Sequence, residues 1–255
     1  MDIFEIVRSL RHISEIKYAV SPPKLLLDRT IADAQILIDP QRVTPFPSSS
    51  GNTVAFVGTE QPISRDDAAA LVDLYTAHGV PRFFVSLSPS PWLQQNIEAL
   101  AAVGLTQFRG PDYHTLLRNM ADPIINVAQS DFRIERVTPD SPHSLDTFDP
   151  SAKRASGLPE FDVWAAMAGE TTAGWGMATT AGAITYLGGA ATSEPYRNKG
   201  AQTALIHARL QDAESRGSQI AVSETLSMLG SSLRNLQRAG FKITYDKLVY
   251  QYGGE

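Results

Sequence analysis

Apolar and polar residues alternate with a period of two along much of the stretch 161–192. Phe161–Ala168 and Thr172–Thr179 read as antiparallel strands joined by a turn at Gly169-Glu170, and a second turn at Ala181-Gly182 leads into Ile184–Thr192. Elsewhere, helical patterns and short apolar strands follow one another in the same order twice. Ser64–His78 predicts a helix ended by Gly79, then a strand at Phe83–Leu87. A helix at Pro91–Val103 stops at Gly104-Leu105, ahead of a strand near Tyr113–Leu117. In the second set, Ala201–Arg216 predicts a helix ended by Gly217, then a strand at Ile220–Ser223. A helix at Ser232–Ala239 stops at Gly240-Phe241, ahead of a strand near Lys247–Tyr252. The matching order and spacing indicate an internal repeat of one α/β unit, although helix–glycine–strand successions also recur by chance in such chains.

Loops and caps punctuate this pattern. Thr44–Asn52, with two prolines and three serines, predicts a loop, as does Pro139–Pro159 with its Pro, Ser and Asp. Ala121-Asp122-Pro123, just before the apolar Ile124-Ile125, suggests a division into residues 1–122 and 123–255. Ser231 or Ser232 offers an N-cap for the last helix. Gly240 offers its C-terminal glycine, with Leu236 and Phe241 spaced for the apolar contact of a Schellman ending.

Composition then narrows the chemistry. Two small domains or one large one fit in 255 residues. No apolar run approaches the length that spans a bilayer, so no membrane partner is expected. Met1-Asp2-Ile3-Phe4-Glu5 carries acids where a secretory signal would carry bases, so the expected location is the cytoplasm. The absence of cysteine excludes disulfides, thiolate metal sites and an acyl-cysteine intermediate. His12, His78, His114, His143 and His207 lie far apart with no HExxH spacing, so no metal is expected. The net charge of −5 argues against nucleic acid as the partner. From Ala190 onward, however, eight Lys or Arg face six acids, a local +2 that suits a small anionic ligand.

That tail begins with a strand, a loop and a helix. Gly188-Gly189 in the strand marks a bulge or the close approach of a ligand. The loop Arg197-Asn198-Lys199-Gly200-Ala201-Gln202 leads into the helix. The first amides of a helix lack carbonyl partners and carry partial positive charge, which makes them an anion site. Arg197 and Lys199 supply charge for a diphosphate, Gly200 lets the backbone approach it, and Thr203 adds a hydroxyl. No GxxxxGK[ST] is present, and Gly174-x-Gly176 lacks the third glycine of a dinucleotide fingerprint. The equivalent first-half helix opens with Ser64-Arg65-Asp66-Asp67, whose acids repel a phosphate, so that half reads as a copy without the site.

The run Thr192-Ser-Glu-Pro-Tyr-Arg-Asn-Lys-Gly-Ala-Gln-Thr-Ala-Leu-Ile resembles the acetyl-CoA motif R/Q-x-x-G-x-G/A of the GCN5-related N-acetyltransferases. Arg197 and Gly200 fit its first two fixed positions, whereas Gln202 departs from the third. The resemblance covers about Asp131 to Tyr252, with the first half as a degenerate copy. It implies two tandem α/β units of that fold, each a mixed, mostly antiparallel twisted sheet flanked by helices. Acetyl-CoA is the implied cosubstrate and a small amine-bearing molecule or peptide the implied partner, while monomer and homodimer stay open.

By the same resemblance, backbone amides at Ala190 and Thr192 pair with the pantetheine arm. Ser231 and Asn235 stand where the family's following helix touches it. The tyrosine that often serves as general acid in that helix is replaced here by Leu236, so an acid is sought at Tyr245 or Tyr250, or in water. Glu224, after the strand Ile220–Ser223 where the family's sheet splays, is the expected base, since an attacking amine must lose its proton. The competing reading is that Glu224 caps the following segment or pairs with a nearby Arg. Trp164 and Trp175 on paired strands suit either the core or a pocket wall. Three functions therefore stand open: an N-acetyltransferase acting by direct attack, an acyl-CoA-binding module without turnover, and a scaffold that has lost the cofactor.

Overall fold

The computed structural model describes residues 1–18, 26–28, 31–32, 34–42, 47, 51–124, 130–141, 145 and 150–253. Helix α1 (Ile3–Tyr18) opens the chain and buries Ile6, Val7, Leu10 and Ile13 at helical spacing. Strands β1 (Leu26–Asp28), β2 (Gln35–Ile38) and β3 (Thr53–Ala55) follow. Next come α2 (Arg65–Ala77), β4 (Phe83–Leu87), α3 (Leu93–Ala102), β5 (Thr106–Gln107) and β6 (Tyr113–Asn119). The remainder runs β7 (Arg133–Val137), α4 (Pro150–Ala155), β8 (Phe161–Ala168), β9 (Thr171–Ala181) and β10 (Ile184–Thr192). A 3-10 turn (Glu194–Tyr196), α5 (Ala201–Ser215), β11 (Ile220–Leu226), α6 (Gly230–Arg238) and β12 (Lys242–Tyr252) complete it. Among the described residues no helix is long and apolar enough to cross a membrane.

The repeat is visible in how its helices stop. Gly79, Gly104, Gly217 and Gly240 all take positive φ, between 69° and 90°. Each donates to the carbonyl three residues back, as Gly240 does to Gln237. The next residue donates five back: Val80 to Tyr75, Leu105 to Leu100, Ser218 to Ala213 and Phe241 to Leu236. This pair of bonds is the Schellman ending that the glycines and the Leu236–Phe241 spacing foretold. The N-cap expected at Ser231 or Ser232 is absent, because α6 starts at Gly230, two residues before the expected Ser232, with Leu229 at the cap and no side-chain bond.

The chain forms two compact units, one of Met1–Arg11, Ser21–Tyr113 and Tyr245–Glu255, the other of His12–Val20 and His114–Thr244. In the first, strands run in the order β1-β2-β3-β4-β12, with β5 also on β12. The β3–β4 pair is parallel and β12 is antiparallel to both β4 and β5. Its core gathers Ile36, Leu71, Tyr75, Phe83 and Leu100, with the Tyr75 ring stacked 4.0 Å from that of Phe83. In the second unit the order is β6-β11-β10-β9-β8-β7. There β10 runs parallel to β11, whereas β10–β9, β9–β8 and β8–β7 are antiparallel. Both sheets are therefore mixed, mostly antiparallel and flanked by helices.

The strand foreseen as closing the first half, Tyr113–Leu117, lies almost wholly in the second unit as β6. The one foreseen as closing the second half, Lys247–Tyr252, lies in the first. The units consequently part at 113/114 and 244/245, offset from the expected 122/123. The expected loop Thr44–Asn52 falls mostly outside the described residues. Within the expected loop Pro139–Pro159, residues 142–144 and 146–149 also fall outside, His143 among them. The structure places α4 at the end of that loop, with Ala152 and Ala155 buried.

Helix α5 is fastened to the second sheet by Arg209, which is 3% exposed. Its guanidinium donates to the carbonyls of Leu205 (2.9 Å) and Met177 (3.1 Å) and lies over Gly176, where a Cβ would come within 2.9 Å of it. Burial draws the pKa of this guanidinium down to about 10. Trp175 belongs to the core on one face of the sheet, whereas Trp164 packs with Ala201 and Leu205 under the start of α5.

Candidate functional site

The two copies of the repeat differ most where their first helices begin. In α2 the Ser64 hydroxyl accepts from the Asp67 amide at 3.0 Å, and Asp67 accepts in turn from the Ser64 amide at 2.9 Å. That capping box consumes orphan donors of the first turn, and its carboxylates repel an anion. In α5 nothing comparable exists. Gly200 occupies the N-cap at φ 91°, and no side chain caps the helix. The first backbone bond runs from the Ala204 amide to the Gly200 carbonyl at 3.0 Å. The amides of Ala201, Gln202 and Thr203 therefore have no helical carbonyl four residues back to bond. A Cβ on Gly200 would meet nothing nearer than Ser130 Cβ at 3.8 Å, so the approach to these amides is open.

These amides face a cleft of about 610 Å³. Nine residues chosen from the sequence line it together: Thr192, Arg197, Asn198, Gly200, Ala201, Gln202, Thr203, Ser231 and Asn235. Lys199 and Ala190 do not: Lys199 Nζ lies 5.8 Å from the Tyr196 ring centroid, and Ala190 is exposed on β10. Arg197 folds back to donate to the Thr192 carbonyl at 3.4 Å. Gln202 lines the cleft and is bonded to the neighbouring helix. Its carboxamide oxygen accepts from Asn235 at 2.7 Å, which links α5 to α6 beneath the cleft.

Three lining residues escape the sequence reading: Tyr196, Arg234 and Arg238. The signal for the two arginines is present in the chain, because 231, 234, 235 and 238 recur at i, i+3, i+4 and i+7 and so share one face of α6. Arg197, Arg234 and Arg238 give the cleft three guanidinium groups, and among the described residues no carboxylate lines it.

From the cleft, β10 leads inward along an open edge. Its parallel ladder with β11 holds Ile184↔Ile220, Thr185↔Ala221 and Tyr186↔Val222 and then ends. Beyond that point β10 continues to Thr192 and β11 to Leu226, so the strands part as a wedge. The Ser223 hydroxyl donates to the Leu187 carbonyl at 2.8 Å just past the apex. Gly188-Gly189 combines a bulge with a close approach. The register with β9 slips between Gly188 and Ala190, with Gly189 at φ 50° forming the bulge. At Gly188 a Cβ would lie 2.2 Å from the Tyr186 ring.

Glu224 lies inside β11 rather than after it, half-buried and two residues past the apex. Thr115 donates to its Oε1 and Tyr186 to its Oε2, both at 3.3 Å. Tyr245 and Tyr250 belong to the first unit, Glu224 to the second. Leu236 is buried in the α5–α6 core with Ile206, Leu210 and Phe241, so no hydroxyl replaces the missing tyrosine at that position.

His207, on α5, is half-buried, and burial together with the nearby Arg118 guanidinium holds its imidazole below the usual range. Among the described residues no group of three His, Asp or Glu is placed to hold a metal.

This arrangement of elements is the fold of the GCN5-related N-acetyltransferases. The chain matches the structure of a GCN5-related N-acetyltransferase from Kribbella flavida with a TM-score of 0.65 and 13% identity, over 99% of this chain and 96% of that one. A tandem GNAT protein from the clavulanic acid biosynthesis pathway matches with a TM-score of 0.59 and 12% identity, over 95% and 88%. A functionally unknown conserved protein from Staphylococcus epidermidis matches with a TM-score of 0.56 and 10% identity, over 95% and 100%. At these identities the likeness defines the fold, and function rests on the site. No family model matches the chain, and no curated protein matches it in sequence.

Proposed function

We propose that the second unit is an N-acetyltransferase domain of the GCN5-related type, which binds acetyl-CoA and passes its acetyl group to a primary amine. The observation that carries this reading is the uncapped start of α5, opening into an arginine-lined cleft that meets β10 at Thr192, the end of the stretch over which the β10–β11 ladder has ceased. The amides of Ala201, Gln202 and Thr203 suit a diphosphate, with Arg197 beside them. The edge of β10 beyond Leu187 suits the amides of a pantetheine arm, in the way an exposed strand accepts an extended peptide. Ala190 and Thr192 lie on that strand segment.

Glu224, near the apex, takes the proton of the incoming amine, and backbone donors of the strand steady charge on the carbonyl oxygen. With no cysteine in the chain, transfer proceeds by direct attack. The first unit, whose equivalent helix is closed by Ser64 and Asp67, has no part in binding the cofactor. The cytoplasm is the proposed location.

Release of free thiol from acetyl-CoA over a panel of primary amines tests the activity. Amine-dependent release supports it. A second reading, an acyl-CoA-binding module without turnover, is favoured by the buried Leu236 in place of a helix tyrosine. CoA binding with no release for any amine would select that reading.

A further inference from the structure

The geometry points to Tyr186 as the proton donor to the departing thiolate, working with Glu224 as a single relay; the inference rests on the transferase reading above. Tyr186 is the last residue of β10 paired with β11, so it stands at the apex of the wedge. The ring lies along β10 over Gly188, and only a residue without a Cβ leaves that space. Its hydroxyl donates to Glu224 Oε2 at 3.3 Å, while Thr115 holds Oε1 from β6. The Lys17 ammonium stands 4.4 Å from the Tyr186 ring centroid, placing a cation beside any negative charge that develops on the phenol. Tyr186 is 7% exposed, so this exchange takes place away from bulk water.

The relay balances. The amine nitrogen forms a bond to the thioester carbonyl carbon and gives its proton to Glu224. Protonated Glu224 then donates to the Tyr186 oxygen, and the phenolic proton passes to sulfur as the C–S bond breaks. One proton has moved from nitrogen to sulfur, and both side chains have returned to their starting states. The relay supplies the acid that Leu236 cannot.

The test is a double-mutant cycle of Tyr186→Phe and Glu224→Gln, substitutions that keep shape and remove the proton-carrying groups. Three quantities are read: thiol release from acetyl-CoA with spermidine, glycinamide or tyramine, CoA affinity by calorimetry, and the unfolding temperature without ligand. Since the chain has no cysteine, a thiol reagent reads released CoA alone. Each single variant is expected to slow release about 100-fold. The double variant should be no slower than the worse single one, because the two act as a unit. CoA affinity should stay within about twofold, and the unfolding shifts should be non-additive, as for bonded partners. Wild-type turnover in Tyr186→Phe, multiplicative rate losses, or lost CoA affinity would each overturn the relay while leaving the transferase reading in place. Failure of the wild-type protein to bind CoA would overturn both.

Discussion

Asn235 donates its side-chain amide to Gln202 at 2.7 Å, so the residue that departs from the acetyl-CoA motif is tied to the helix beside it. The position that the motif reserves for a small residue is used here to hold α5 and α6 in register below the cleft.

Breaking that bond should cost about 1 kcal/mol of stability, the usual net value of one hydrogen bond. Gln202→Ala and Asn235→Ala are each expected to lower the urea midpoint, with the double variant close to either single one. Additive losses would show that the carboxamides act independently.

Arg234 and Arg238 sit four residues apart on α6 and line the cleft with Arg197. For the proposed cofactor, their paired charge would suit the 3′-phosphate of CoA, beyond what a diphosphate at α5 requires. Arg234→Gln/Arg238→Gln should weaken CoA about tenfold, roughly 1.4 kcal/mol, and dephospho-CoA much less. Calorimetry with both ligands checks this; equal losses would place the arginines elsewhere on the ligand.

Gly188→Ala should destabilise the fold by about 1–3 kcal/mol, because its methyl would meet the buried Tyr186 ring at 2.2 Å. Thermal unfolding measures the loss. Pairing it with Tyr186→Ala, which removes the ring, should make the added cost of Gly188→Ala much smaller.

His207 gives a pH dependence of defined sign. Its folded-state pKa lies below the ordinary 6.5, so below that pH the unfolded chain takes up the proton more readily. Stability from this group is present above pH 6.5 and is lost as pH falls toward the folded value. Urea midpoints near neutrality and about two pH units lower should therefore differ less in His207→Gln than in the wild-type protein. An unchanged difference would remove His207 from the acid response.

Much of this was legible in the chain. Alternation from 161 to 192 marks the β8–β9–β10 meander, and glycines at 79, 104, 217 and 240 mark four helix ends, because their backbone freedom closes a Schellman ending without strain. Helix α1 is not among the expected elements, although Ile6, Val7, Leu10 and Ile13 carry its period. Pairing partners were not legible. Local pattern shows that 113–117 and 247–252 hold strands, but not which neighbour each adopts, and here each half gives most of its last strand to the other unit. The loop that opens α5 is readable from Arg197 and Gly200, and Arg234 and Arg238 are readable from their helical spacing with Ser231 and Asn235, whereas Tyr186 reaches Glu224 only through tertiary structure.

Calorimetric titration of CoA into the wild-type protein and into Gly200→Asp tests the central claim most directly. The account predicts saturable one-to-one binding that the carboxylate at the mouth of α5 abolishes, with the fold retained. No binding by the wild-type protein, or undiminished affinity in Gly200→Asp, would contradict it.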